Sequence, residues 1–131
     1  MATEAIVTNR IAKPVGPFSA AIRDGGRVYT SGHVAQDPAT GKLIGERSVA
    51  AQTEQVLENL AAVLDAAGKS FADVVKVSVF LTDMQSFGEM NDVYARYFSA
   101  PYPARTTVEV AALPLGAAVE IDLVASSGEI D

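Results

Sequence analysis

The length and composition of the chain are typical of one folded domain spanning residues 1–131. Of its residues 49 % are hydrophobic and 20 % are charged, which is enough apolar surface for a core and argues against disorder. The net charge of −6 and the scattered basic residues argue against a nucleic-acid partner, because Lys and Arg must neutralise its phosphates. The absence of cysteine excludes disulfides and thiol chemistry. No apolar run is long enough for a signal-peptide core or a membrane span, so we expect a cytoplasmic protein.

Strand and turn signals occupy the first third of the chain. Short apolar runs at Ala20–Arg23 and Val28–Ser31 flank the turn-forming residues Asp24–Gly26, which predicts a β-hairpin. The segment Asp37–Leu43 is rich in turn formers and is predicted to be a surface loop.

A helical period follows from Ser48 to Ala67. The apolar residues at helical spacing are Val56, Leu57, Leu60, Leu64 and Ala67. Ser48 is suited to cap the start of this helix, and Gly68 is suited to end it.

Val74–Asp83 is rich in β-branched residues and alternates as a strand does. The alternation predicts one face with Val75, Val77, Val79 and Leu81, and another with Lys76, Ser78 and Thr82. Ser86–Glu89 then has the form of a capping box and opens a second predicted helix that ends before Pro101. The apolar face of that helix consists of Met90, Tyr94, Tyr97 and Phe98.

The last third predicts two strands, residues 105–112 and 118–126, with a turn near Pro114–Gly116. The order of elements indicates a single α+β domain, a mixed sheet with both helices on one face. The second face of the sheet would then be uncovered, which favours self-association.

Arg105 stands at the start of a predicted strand, where a long cation has little use in a core. It is either a surface residue paired with Glu109 or another acid, or a fork that grips a carboxylate or phosphate through two parallel hydrogen bonds. Pro103 would fix the start of this strand and limit how Arg105 can move. Spacing alone favours the surface pair.

Glu120 lies between two strand apolar residues, Val119 and Ile121. It either faces solvent on the open side of the sheet or is held for proton transfer, with partial burial raising its pKa. Asp122 shares its face, so the pattern alone does not single out Glu120. His33, the only histidine, has no cysteine or second histidine for a metal site or catalytic triad, and is predicted to be structural or on the surface.

Taken together, the motifs of the chain resemble those of the RidA/YjgF family of reactive-intermediate deaminases. The matching segments, in order, are GPFSAAI, TSG, QTEQVLENLAAVLDAAG, DVVKVSVFLTDM, FGEMNDVYARYF, PARTTVEVAALP and VEIDLVA. They cover nearly the whole chain, from about Ala5 to Ser126. The resemblance implies a chorismate-mutase-like α+β fold, assembled as a homotrimer around a barrel of sheets with clefts between subunits. It also implies hydrolysis of 2-imino acids and their enamine tautomers, without a metal or an organic cofactor.

The resemblance also implies roles for individual residues. Arg105 would clamp the substrate carboxylate with help from the backbone N–H of Thr107, and Glu120 would position the attacking water and manage protons. Ser31, Gly32 and Asn91 would line the cleft. Phe18 and Thr107 depart from the tyrosine and cysteine common in the family, which puts substrate preference and rate in question.

Two other functions stay open at this stage: a non-catalytic trimer that binds small carboxylates, and an RNA-cleaving activity, against which the net charge of −6 counts. A hairpin between the last two strands would also separate Arg105 from Glu120 by roughly 16 Å. Either these strands are not hairpin partners, or long side chains and a neighbouring subunit complete the site.

Overall fold

Six strands and two helices make up the part of the chain that the computed structural model describes, residues 3–126. The strands are β1 (Glu4–Ile6), β2 (Ala21–Asp24), β3 (Arg27–Thr30), β4 (Val74–Leu81), β5 (Ala104–Glu109) and β6 (Val119–Ala125). The helices are α1 (Val49–Ala66) and α2 (Phe87–Tyr94), and short 3₁₀ turns occupy Phe71–Asp73, Met84–Ser86 and Pro114–Gly116.

The strands form one mixed sheet in the order β1-β2-β3-β6-β4-β5. Only β4 and β5 run parallel, and their register pairs Val77 with Arg105. β6 is antiparallel to β4 and pairs Glu120 with Phe80. The last two strands are therefore not hairpin partners, because β4 lies between them.

Both helices pack on one face of this sheet, which confirms the predicted α+β fold class. That face carries the buried residues Val77, Val79 and Leu81 of β4, and with Leu57 and Leu60 of α1 they belong to one apolar core. The residues that alternate with them point to the other face, which neither α1 nor α2 covers.

Local signals predicted the hairpin and the first helix correctly. β2 and β3 pair from Ala21 opposite Thr30 to Asp24 opposite Arg27. The Ser48 side chain accepts a hydrogen bond of 3.0 Å from the Ala51 N–H at the start of α1. No helix within residues 3–126 is both long and apolar enough to cross a bilayer.

The predicted apolar face of β4 is wrong at its first residue. A register shift between Val74 and Lys76 interrupts the alternation. Val74 is therefore buried, while Val75 is 43 % exposed. A β-bulge of this kind leaves no trace in the apolar pattern of a valine-rich segment.

The predicted capping box at Ser86 is also wrong. Ser86 makes no side-chain capping bond, and Asp83 instead caps the preceding 3₁₀ turn by accepting from the Gln85 N–H at 2.9 Å. The helix is shorter than predicted and ends at Tyr94. Phe98 nevertheless packs on it, with its ring stacked 4.3 Å from the ring centroid of Tyr94.

Candidate functional site

Arg105 reaches toward α2 from the edge strand β5. Since it pairs with the buried Val77, its side chain lies on the helix side of the sheet. There its guanidinium carbon is 4.7 Å from the ring centroid of Tyr94 and 5.5 Å from that of Phe87. Both distances are within the range of cation–π attraction. Aromatic rings therefore hold this cation in place.

Arg105 lines a cleft of about 470 Å³ between α2 and β5. Asn91, Tyr102 and Asp92 are among the other residues that line it. Within residues 3–126, no carboxylate lies within ion-pair distance of Arg105. Glu109 is engaged elsewhere, since its Oε1 accepts from the Met84 N–H at 2.7 Å. The surface ion pair with Glu109 is thus wrong, and the cation can accept an external anion.

Thr107 offers a backbone donor next to this cleft. The Val110 N–H donates to the Leu81 carbonyl at 2.8 Å. Because N–H groups alternate in direction along a strand, those of Val108 and Thr106 also face β4. The N–H of Thr107 falls in the other set and points away from β4, at the free edge of the sheet. Its hydroxyl is buried without a hydrogen-bond partner among the described residues. The backbone N–H of Thr107 is therefore not used in the pairing of β4 with β5.

Glu120 lies on the opposite, open face of the sheet. Its carboxyl group is packed against Gly32, where a β-carbon would overlap Oε2. Burial raises the pKa of Glu120, and the nearby negative charge of Asp122 raises it further. A carboxyl group of this kind exchanges protons closer to neutral pH than an ordinary glutamate does.

Ser31 links Gly32 to the loop that bears Phe18. Its hydroxyl donates to the Ser19 carbonyl at 2.6 Å, and its N–H donates to the Ala20 carbonyl at 2.9 Å. Phe18 is 53 % exposed and lines a separate cleft of about 660 Å³ along the N-terminal segment. This cleft is larger, but neither Arg105 nor Glu120 lines it, so we place the chemistry elsewhere.

His33 has a structural role, as predicted. Its Nε2 hydrogen-bonds the Ala20 carbonyl at 3.2 Å, and its backbone bridges Ile121 in both directions. Burial lowers the pKa of His33, although the bond to Ala20 opposes this effect. Among residues 3–126 no group of three His, Cys, Asp or Glu side chains is placed to hold a metal ion.

The site residues thus form two separate groups. The arginine half-site consists of Asn91, Tyr94, Arg105 and Thr107, and the glutamate half-site consists of Ser31, Gly32 and Glu120. On β4 their register positions, Val77 and Phe80, are three residues apart, and β4 separates the two strands. The Cα atoms of Arg105 and Glu120 are therefore about 14 Å apart at ordinary strand spacings, with the side chains on opposite faces. Within one chain the two half-sites do not meet.

The family model described as Endoribonuclease L-PSP matches residues 8–127. A RutC family protein of Pyrococcus horikoshii is 46 % identical over 93 % of this chain and 96 % of its own. The chain belongs to the RidA/YjgF family.

Two further RidA/YjgF members carry more specific names. Reactive Intermediate Deaminase A, chloroplastic, of Arabidopsis thaliana is 44 % identical over 94 % of this chain and 65 % of its own. The crystal structure of RidA from the Antarctic bacterium Psychrobacter sp. superposes with a TM-score of 0.89 at 44 % identity, covering 94 % of this chain and 98 % of that one. The family therefore includes proteins named as reactive intermediate deaminases.

Sequence reasoning missed the aromatic support of the arginine in this RidA/YjgF chain. Tyr94 was predicted only as a packing residue, and Phe87 was given no role beyond the start of a helix. Phe87, Asn91 and Tyr94 are spaced by four and three residues, which places them on one face of α2. That spacing was the available signal, but nothing in it identified β5 as the strand that α2 covers.

Proposed function

We propose that this RidA/YjgF protein hydrolyses 2-iminobutanoate, 2-iminopropanoate and related 2-imino acids to 2-oxo acids and ammonia. The enamine 2-aminoacrylate enters the same reaction after a proton adds to its methylene carbon. The observation that carries the proposal is the Arg105 guanidinium, which two aromatic rings hold at a cleft and which forms no ion pair with a carboxylate of residues 3–126. A cation in this state is a receptor for the carboxylate that all these substrates share.

Arg105 supplies binding and orientation. Its guanidinium forms two parallel hydrogen bonds to the substrate carboxylate, and the outward N–H of Thr107 donates a further one. The imine carbon next to that carboxylate is already electrophilic. Fixing its position next to a water molecule therefore contributes to the rate without any covalent intermediate on the protein.

Glu120 supplies proton transfer. It accepts a proton from water as the water oxygen bonds to the imine carbon, and it passes that proton to the nitrogen. Glu120 then takes the hydroxyl proton of the resulting carbinolamine and delivers it to the nitrogen as the C–N bond breaks, so that the products are a 2-oxo acid and ammonia. A raised pKa suits this exchange, which is typically worth ~10²–10⁴-fold in rate.

The separation of Arg105 from Glu120 leads us to propose a homotrimer with sites between subunits. Each subunit would offer its arginine half-site to one neighbour and its glutamate half-site to the other. The open face of the sheet, which also carries Glu120, supports this assembly. Its side chains Tyr29 and Val108 are large, apolar and exposed. Three equivalent sites follow from the symmetry.

The test is hydrolysis in competition with semicarbazide trapping. 2-Aminoacrylate and 2-iminobutanoate are generated in situ by a serine/threonine dehydratase, and the semicarbazone that accumulates is measured. We expect the wild-type protein to cut the trapped signal, Arg105→Ala to lose this effect, and Arg105→Lys to retain a small part of it. Equal trapping with and without wild-type protein would contradict the proposal.

Two other functions remain as outcomes of that test. If 2-oxobutanoate protects the wild type against thermal unfolding while trapping is unchanged, the protein is a carboxylate-binding module. An endoribonuclease is suggested by the description of the family model. It would require RNA cleavage that co-elutes with the protein through several columns, and the net charge of −6 provides little attraction for RNA.

A further inference from the structure

We infer that Tyr94 is the positioning residue that holds the Arg105 guanidinium ready for a carboxylate. The inference rests on the proposed function for the identity of the ligand, but not for the geometry. Tyr94 is only 6 % exposed, and its ring centroid is the nearer of the two to the guanidinium, at 4.7 Å. Phe87, at 5.5 Å, is 37 % exposed and therefore offers a looser contact.

The position of the Tyr94 ring is itself fixed from behind. It stacks on Phe98 with ring centroids 4.3 Å apart and an interplanar angle of 21°. Phe98 in turn meets Phe71 edge to face, at 5.0 Å and 72°. This aromatic stack of Phe71, Phe98 and Tyr94 connects the body of the domain to Arg105. Contact with this stack restricts the rotamers that the Arg105 side chain can adopt.

The Tyr94 hydroxyl adds a polar element to this support. It is buried and has no hydrogen-bond partner of good geometry among the described residues. Burial raises the pKa of Tyr94, while the charge of the Arg105 guanidinium and a weak hydrogen bond from it act in the opposite direction. The phenol is therefore neutral near pH 7, and the Arg105 charge is near enough to affect it.

Holding Arg105 in advance affects ligand affinity rather than the chemical step. A free arginine loses much rotamer freedom when it grips a carboxylate, and a pre-ordered one has already lost it. Removing the ring should therefore weaken the binding of every carboxylate, substrate and product alike. The rate constant of the bound complex should change little.

The experiment compares Tyr94→Leu, which removes the ring, with Tyr94→Phe, which removes only the hydroxyl. We expect Tyr94→Leu to raise the Kd for 2-oxobutanoate and the KM for 2-iminobutanoate by roughly 2- to 30-fold, as the loss of one cation–π contact implies. Tyr94→Phe should remain within about 3-fold of the wild type. Tyr97→Leu is the matched control, because it makes the same change at a ring that is outside the stack and does not lie over the Arg105 guanidinium.

A second measurement does not depend on activity. The Nε–H resonance of Arg105, identified by its loss in Arg105→Lys, should be shifted upfield by the ring current and protected from exchange in the wild type, Tyr94→Phe and Tyr97→Leu. In Tyr94→Leu both features should disappear. If the leucine variant does not fold, Tyr94→Met preserves the volume without the ring.

Unchanged Kd and an unchanged Arg105 resonance in the ring-deleted variant would overturn the inference. A drop in kcat at constant KM would also overturn it. If the wild type hydrolyses no imine, yet the resonance and the Kd for 2-oxobutanoate change as expected, the positioning role stands and the deaminase proposal fails.

Discussion

The carboxyl group of Glu120 lies so close to the backbone of Gly32 that a β-carbon at residue 32 would overlap Oε2 and lie 2.8 Å from Cδ. The backbone imposes this contact. The His33 N–H donates to the Ile121 carbonyl at 2.9 Å, and the Ile121 N–H donates back at 3.1 Å, which ties the two segments together next to the contact. Glycine at residue 32 is therefore the residue that leaves room for the Glu120 side chain.

Replacing this glycine should displace the proton-transfer group without unfolding the protein. In Gly32→Ala the flexible end of Glu120 must rotate away, so we expect kcat to fall by roughly 10- to 1,000-fold, toward the level of Glu120→Ala. KM should change less, because Arg105 is on the opposite face of the sheet. Steady-state kinetics and circular dichroism measure both effects. Gly88→Ala is the control, since a β-carbon there meets nothing within 4 Å; a Gly32→Ala variant with wild-type kcat would contradict the assignment.

The acid limb of the pH profile should report Glu120. Burial first and Asp122 second raise its pKa above the ordinary value of 4.5, so kcat/KM should rise with pH through an apparent pKa above that value. In Asp122→Asn the limb should move to lower pH, because a neighbouring negative charge is gone. The apparent pKa of the variant should still be above 4.5, since burial continues to raise the pKa of Glu120. Asp65→Asn removes the same charge from the surface pair with Arg10 and should leave the limb unchanged.

The same raised pKa predicts how stability depends on pH. The folded state binds the Glu120 proton more tightly than the unfolded chain, so its contribution to the free energy of unfolding is fully present below the unfolded-state pKa. That contribution is lost as pH rises through the folded-state pKa. The wild type should therefore lose stability relative to Glu120→Gln as pH rises from about 4 to 7. Urea midpoints of the two proteins at each pH measure this difference, and a difference independent of pH would refute it.

Two serines distinguish the observed helix starts from the predicted ones. Ser48 caps α1, so Ser48→Ala should cost about 1 kcal/mol of stability. Ser86 makes no capping bond, so Ser86→Ala should stay within about 0.5 kcal/mol of the wild type. Urea denaturation at one protein concentration measures both, because assembly would make stability depend on concentration. Equal losses in the two variants would restore the capping box at Ser86.

These helix starts illustrate what the sequence could predict about the fold. Ser48 and the long apolar period after it are local signals, and both were correct. Ser86 and Glu89 had the right spacing for a capping box, but Ser86 is the last residue of the 3₁₀ turn capped by Asp83, and its backbone (φ −82°, ψ 1°) is not extended as that of an N-cap usually is. Hydrophobic pattern also did not predict β1, Glu4–Ile6, which is short and pairs with β2 at the edge of the sheet.

The residues of the candidate site stay a prediction, and their arrangement could not be read from the sequence. Motif resemblance identified Arg105, Glu120 and their neighbours. The position of β4 between the last two strands depends on long-range pairing. Val77 of β4 pairs with Leu123 of β6 on one side and with Arg105 of β5 on the other. No local pattern contains that information. The opposite faces of the two half-sites became visible only with the sheet order.

Mixed assemblies of two inactive variants should recover activity if neighbouring subunits share a site. Arg105→Ala retains its glutamate half-site, and Glu120→Ala retains its arginine half-site. When equal amounts are unfolded together and refolded, three quarters of random trimers are mixed, and each mixed ring has one intact junction among three. We therefore expect about a quarter of wild-type activity. Refolding each variant alone, or mixing Arg105→Ala with the double variant, should give none. Absence of recovery in a proven mixed trimer would mean that Arg105 and Glu120 act from the same chain, and the proposed division of the site would be wrong.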